Sequence, residues 1–124
     1  MANPNIVSVA SIYGKTAYDA DVATSASSLV SNAASSGKIL KINSLIIANI
    51  DGTNAADITV TLRNAAGGTT YSTLAYTISV PADATLVVIG KDSAIYLEED
   101  MALYVLASAA GDLSATCSYE EISE

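Results

Sequence analysis

Ile58-Thr59-Val60-Thr61-Leu62 alternates strictly between large apolar residues and threonine. Successive side chains of a strand point to opposite faces, so Ile58, Val60 and Leu62 share one side and both threonines the other. A helix would scatter the same residues around its axis. The pattern returns at Leu74, Tyr76, Ile78 and Val80, at Leu103, Val105 and Ala107, and at Leu113, Ala115, Cys117 and Tyr119. Half-buried strands of this kind belong to antiparallel sheets with one face on a core. This alternation places Tyr76 and Tyr119 in that core.

Two other runs are continuously apolar: Leu45-Ile46-Ile47-Ala48 and Leu86-Val87-Val88-Ile89. They are short and rich in β-branched residues, so they read as strands covered on both faces. One covering layer can belong to another subunit. Turn residues divide the runs at short intervals: Asp51-Gly52-Thr53-Asn54, Asn64-Ala65-Ala66-Gly67-Gly68, Pro81-Ala82-Asp83-Ala84, Gly90-Lys91-Asp92 and Gly111-Asp112. Glycine supplies positive φ, and Asp or Asn bonds its own backbone, so each is a turn with a mechanism. Strands separated this often predict an all-β antiparallel sandwich, a jelly roll, as a single domain over residues 17–124.

Residues 17–37 are rich in Ser, Thr and Ala and read as extended chain with one strand around 26–31. An Ala-rich helix is the rival reading, disfavoured because Ser and Thr are poor helix formers. Residues 1–16 begin with alternating Ile6, Ser8, Ala10 against Val7, Val9, Ser11 and read as an edge strand or an arm reaching onto a neighbour.

Composition excludes more than it assigns. Thirteen Asp and Glu against five Lys and Arg give a net charge of -8 in 124 residues, which argues against nucleic acid and anionic membrane as partners. No apolar run approaches the roughly 20 residues of a membrane helix, and the start lacks the basic and apolar segments of a signal peptide. The expectation is therefore synthesis in a cytosol. The chain has no histidine, so imidazole bases and His-ligated zinc are excluded. Cys117 is the single cysteine, with no cation near it in sequence, and reads as a small core hydrophobe. Glu98-Glu99-Asp100 reads as a solvated turn before the strand at Leu103 rather than a carboxylate pair in a cleft. Asp51, Asn54 and Asp57 offer oxygens in one loop without EF-hand spacing, so a cation there stays open while a plain turn suffices. The reading is a non-enzyme with no cofactor and no metal.

Taken together, Ile50-Asp51-Gly52-Thr53-Asn54-Ala55-Ala56-Asp57, Val80-Pro81-Ala82-Asp83-Ala84-Thr85-Leu86, Ile95-Tyr96-Leu97-Glu98-Glu99-Asp100 and Cys117-Ser118-Tyr119-Glu120-Glu121-Ile122 resemble small virion structural proteins of tailed bacteriophages. The resemblance covers residues 38–122. Those proteins carry glycine before the acid of the third turn, where this chain has Glu99 before Asp100. The resemblance implies a β-sandwich present in many copies in a virion: a capsid decoration (cement) protein, a homotrimer on the major capsid protein that stabilises the shell. Neck or tail accessory proteins look alike, and a carbohydrate-binding or adhesin module is the alternative from another class. Seven tyrosines stand in a chain without Phe or Trp, and Tyr suits interfaces through its large rigid surface and polar tip. The candidate subunit or capsid contacts are Ile6, Val7, Val9, Tyr13, Tyr18 and Tyr71.

Overall fold

A computed structural model describes residues 3–124. Nine strands follow one another: β1 (Ser11–Asp19), β2 (Ser27–Asn32), β3 (Lys38–Asn49), β4 (Ala56–Asn64), β5 (Thr70–Val80), β6 (Thr85–Ile89), β7 (Ile95–Leu97), β8 (Met101–Ala107) and β9 (Leu113–Ser123). A 3-10 turn, Lys91–Ser93, lies before β7. Sheet 1 has the order β1-β9-β3-β6, with β7 paired to the other end of β3. Sheet 2 has the order β2-β8-β4-β5. Every pairing is antiparallel. The chain crosses between sheets at β1–β2, β2–β3, β3–β4, β5–β6, β7–β8 and β8–β9, which is the jelly-roll order expected from the strand spacing.

The core lies between the sheets. Ile42, Leu45, Ile47, Leu113, Ala115 and Cys117 face it from sheet 1, and Ile58, Val60, Leu103 and Val105 from sheet 2. The strict alternation at 58–62, 103–107 and 113–119 thus places its apolar residues inward, and Tyr119 packs half-buried against the cluster. The Ser/Thr-rich stretch is extended, with β2 where a strand was expected and no helix.

Tyr76 corrects the alternation reading: it is 72% exposed. The pairing of β4 with β5 shifts register between Ile58 and Val60 and again between Val60 and Thr61. Thr77, at φ 46°, takes a left-handed conformation inside β5, which is how a bulge adds a residue. Ala75 then sits opposite Val60, and Ile78 opposite Ile58. The extra residue turns Leu74 and Tyr76 outward while Val80 stays buried.

The continuous runs are also only half covered. Leu45 and Ile47 are fully buried, but Ile46 is 36% exposed and Val87 58%.

Two asparagines tie strand ends into the core. Asn49, at the end of β3, donates from Nδ2 to the carbonyls of Asn54 (3.0 Å) and Val80 (2.9 Å) and accepts from the amide of Asp51 (2.8 Å). Asn32, at the end of β2, donates to the carbonyls of Lys38 (2.9 Å) and Leu97 (3.1 Å). Both are buried. Each side chain satisfies backbone acceptors that the ladders leave open, which is what permits a polar group to be buried.

Candidate functional site

The registers of sheet 1 assemble its outer face from residues far apart in sequence. Tyr18 lies opposite Thr116, Thr116 opposite Ile46, and Ile46 opposite Val87. This makes one row across four strands, and Tyr18 is 77% exposed. A second row runs Gly14, Glu120, Lys41 and Tyr96. Between and above them stand Thr16, Ser118, Ser44, Ser114, Ala48 and Thr85, with Ile50 exposed just beyond β3. An open recess of about 550 Å³ lies beside Tyr18, between Thr16, Asp19, Ala20, Ile50 and Thr116.

The N-terminal segment crosses the lower end of this sheet. The amide of Ala10 donates to the Ser123 carbonyl (2.9 Å), and Asn3 Nδ2 reaches Glu98 Oε1 (2.6 Å). The segment therefore passes from the β1 edge to the β7 side. Pro4 is buried within it, and Ile39 and Ile122, opposite each other in the ladder at this end, are buried though outside the main core cluster. Asn5 shapes a turn: its carbonyl accepts from the amide of Ser8 (3.1 Å), and its side chain accepts from the amide of Val7 (3.0 Å). That turn presents Ile6 and Val7, the latter 90% exposed. Residue 16, the expected end of the arm, falls inside β1.

The six candidate contact residues do not form one patch. Ile6, Val7 and Val9 lie in the N-terminal segment, with Val9 half-buried. Tyr18 belongs to the outer face of sheet 1. Tyr13, exposed, lies opposite Glu121 near the other end of β1. Tyr71 is on β5 in sheet 2, with its hydroxyl accepting from Asn64 Nδ2 (3.0 Å). Ile46 and Val87, which sequence reasoning took as covered, are the outward residues it missed. The signal was present as apolar runs longer than one face needs.

Electrostatics divide between the two ends. At the lower end, Glu121 bonds Lys15 (2.9 Å) and meets Lys38 (3.1 Å). The Lys15 hydrogen bond holds its carboxyl below the usual carboxylate range and the Lys15 ammonium above its own ordinary value. In the same region Glu98-Glu99-Asp100 is more than a solvated turn. Glu99 accepts from the Gly37 amide (3.1 Å), and Asp100 accepts from Asn64 Nδ2 (2.7 Å) and the Ala66 amide (3.1 Å). Asp100 takes φ 65°, a left-handed position that Asp tolerates through such local bonds.

At the upper end, three loops bring Asp21, Asp51 and Asp112 together. Asp51 accepts from Thr53 N (2.8 Å), Asn54 N (3.3 Å) and Asn54 Nδ2 (3.0 Å), with the Asn54 side chain the largest cause of its lowered pKa. Those bonds serve the turn itself. Asp57 faces elsewhere, lining a recess on sheet 2 with Thr59 and Ser108. Among the described residues no group of three or more His, Cys, Asp or Glu is placed to hold a metal. Desolvation, then the Asp51 and Asp21 charges, push the Asp112 carboxyl up. An acid whose folded pKa is raised costs stability above its unfolded pKa, and the cost fades as pH falls. Asp112→Asn is therefore expected to raise the urea midpoint at pH 7 and to leave it nearly unchanged at pH 3.

Cys117 is fully buried, and burial pushes its thiol up to about 12. Thiolate is the reactive form. A thiol reagent at pH 8 is expected to modify Cys117 only as fast as the fold opens, and at once in denaturant.

No family model and no curated protein matches the chain. A solved structure of Bacillus endospore appendages, described as a novel family of disulfide-linked pili, is similar to it. The TM-score is 0.51 at 15% identity, over 90% of this chain and 88% of that chain. At that identity the likeness shows a shared fold, the two-layered β-sandwich.

Proposed function

We propose that this chain is a non-enzymatic structural subunit, working in many copies within a larger assembly. In its specific form, it decorates the outside of a phage head, bound to the major capsid protein, and braces the shell. The observation that carries the reading is the Asn5–Ser8 turn. It holds Ile6 and Val7 out from the domain on a backbone that is hydrogen-bonded rather than frayed. Exposed apolar residues held in one place suit a docking contact. The motif resemblance over residues 38–122 supplies the partner. A ligand that binds only the assembled lattice stabilises it by mass action.

The likeness to a pilus protein favours a second reading, a subunit of an appendage filament. This chain would build either assembly without disulfides between copies, since its single thiol is buried.

The test mixes the purified protein with phage heads lacking it and locates it by electron cryo-microscopy. Density distributed over the shell is the expected result. Density at one vertex or on the tail moves the function to the neck or tail, and filaments formed by the protein alone favour the second reading. The paired substitution Ile6→Ser and Val7→Ser is expected to weaken head binding at least tenfold, roughly the worth of two apolar anchors, with an unchanged circular dichroism spectrum. Unchanged binding removes the turn from the contact.

A further inference from the structure

We propose that the outer face of sheet 1 is a contact surface for a second copy of this chain, packed sheet against sheet. The inference goes beyond the particle reading and does not depend on it, because its argument rests on charge and area alone.

Charge comes first. Two copies carrying a net charge of -8 each repel, so they can meet only where that charge is absent. The outer face of sheet 1 is such a place. Across β1, β9, β3, β6 and β7 its outward residues are neutral except Lys41 and Glu120, which lie opposite each other in the ladder and offset, and Asp19 is the one further charge, at the recess on its upper edge. The large residues exposed on it are Ile12, Tyr18, Ile46, Val87, Tyr96 and Ile50. A contact between identical surfaces must be complementary to itself, and a face of mixed apolar and hydroxyl side chains with few charges meets that condition. A basic partner would instead be drawn to the acidic ends.

Area comes second. Four strands about 4.8 Å apart, over the ten residues 41–50 at about 3.3 Å each, give a face of roughly 19 by 33 Å, about 600 Å² in plan. The side chains standing on it add to that figure. A standard interface takes about 800 Å² from each partner, so this one face is of the right size. Sheets packed about 10 Å apart interdigitate their side chains, and the recess beside Tyr18 and Ile50 offers a hole for a protruding one. Such a face-to-face contact is a two-fold pair and not the threefold ring that the phage resemblance implies.

The experiment is sedimentation equilibrium on the full chain, with Val87→Glu, Val87→Lys and Tyr76→Glu. Val87 and Tyr76 are both exposed, on opposite sheets, so none of these changes threatens the core. Wild type is expected at twice the monomer mass, and more so at higher salt, which screens the repulsion. Both Val87 variants are expected to raise the dissociation constant by on the order of 100-fold, because each substitution enters a two-fold contact twice and buries an unpaired charge. Val87→Lys makes the net charge less negative, so its weakening separates desolvation from simple repulsion. Tyr76→Glu is expected to leave the dimer intact. A wild-type monomer at high micromolar concentration, a trimer, or a dimer that survives both Val87 changes overturns the proposal. So does a monomer that binds phage heads through Val87, which would place a different partner on this face. Failure of head binding with the dimer intact would instead overturn the particle reading alone.

Discussion

Ile47→Ala is expected to lower the stability of the domain by about 2–5 kcal/mol, while Ile46→Ala lowers it by less than about 1 kcal/mol. The two residues are neighbours on β3 and differ only in the face they occupy. Ile47 is fully buried between the sheets, on a strand flanked by β9 and β6. Truncating it removes buried methylenes and leaves a cavity that close-packed neighbours fill only in part. Domains of this kind are stable by roughly 5–15 kcal/mol, so the change removes a large share. Ile46 points to the outer face, where truncation opens no cavity. Its effect should appear in self-association instead. Urea unfolding of the two variants side by side decides the matter, and equal losses would mean that the outer face is not open in the isolated chain.

Asn49→Asp is the second large effect, a loss of about 3 kcal/mol or more at pH 7, since a buried group left unsatisfied costs about 1–3 kcal/mol and a charged one more. The substitution replaces the amide that donates to the Asn54 and Val80 carbonyls with an oxygen that cannot donate. A buried carboxylate facing carbonyls has a folded pKa raised above its unfolded value. Its penalty is therefore largest above the folded pKa and shrinks as pH falls and a proton returns one donor. Urea midpoints at pH 7 and pH 4 should show the variant recovering towards wild type at the lower pH. Equal deficits at both would mean that the buried carboxyl takes up no proton between pH 7 and pH 4, so that its folded pKa is not raised into that range.

Much of this fold is written in period-two alternation, and it was readable wherever the ladder is regular. β4, β8 and β9 face the way their residues alternate. β5 does not, because alternation assumes one residue per step, and the bulge at Thr77 breaks that count without a glycine to announce it. The direction of β3 and β6 was hidden for another reason. An apolar run names residues that want cover but not which of them the same chain covers. That depends on registers such as Ile46 with Thr116 and Tyr18, set by pairings between distant segments. Tyr18 was found as an exposed aromatic, whereas its row was invisible. Asn49 and Asn32 stand where turn residues are expected, and nothing local marks them as buried ties.

The place of β9 between β1 and β3 bears on how the protein is made. Sheet 1 is joined through a strand synthesised after nearly all the others. Roughly 60 residues separate β3 from β9, several seconds of translation at about 5–20 residues per second. During that interval the nascent β3, the longest strand, has no β9 to pair with. Folding dominated by such distant pairings is slow. A chain broken off before residue 113 holds all four strands of sheet 2 but leaves β1 and β3 unconnected, so sheet 1 closes only when the last strand has been made.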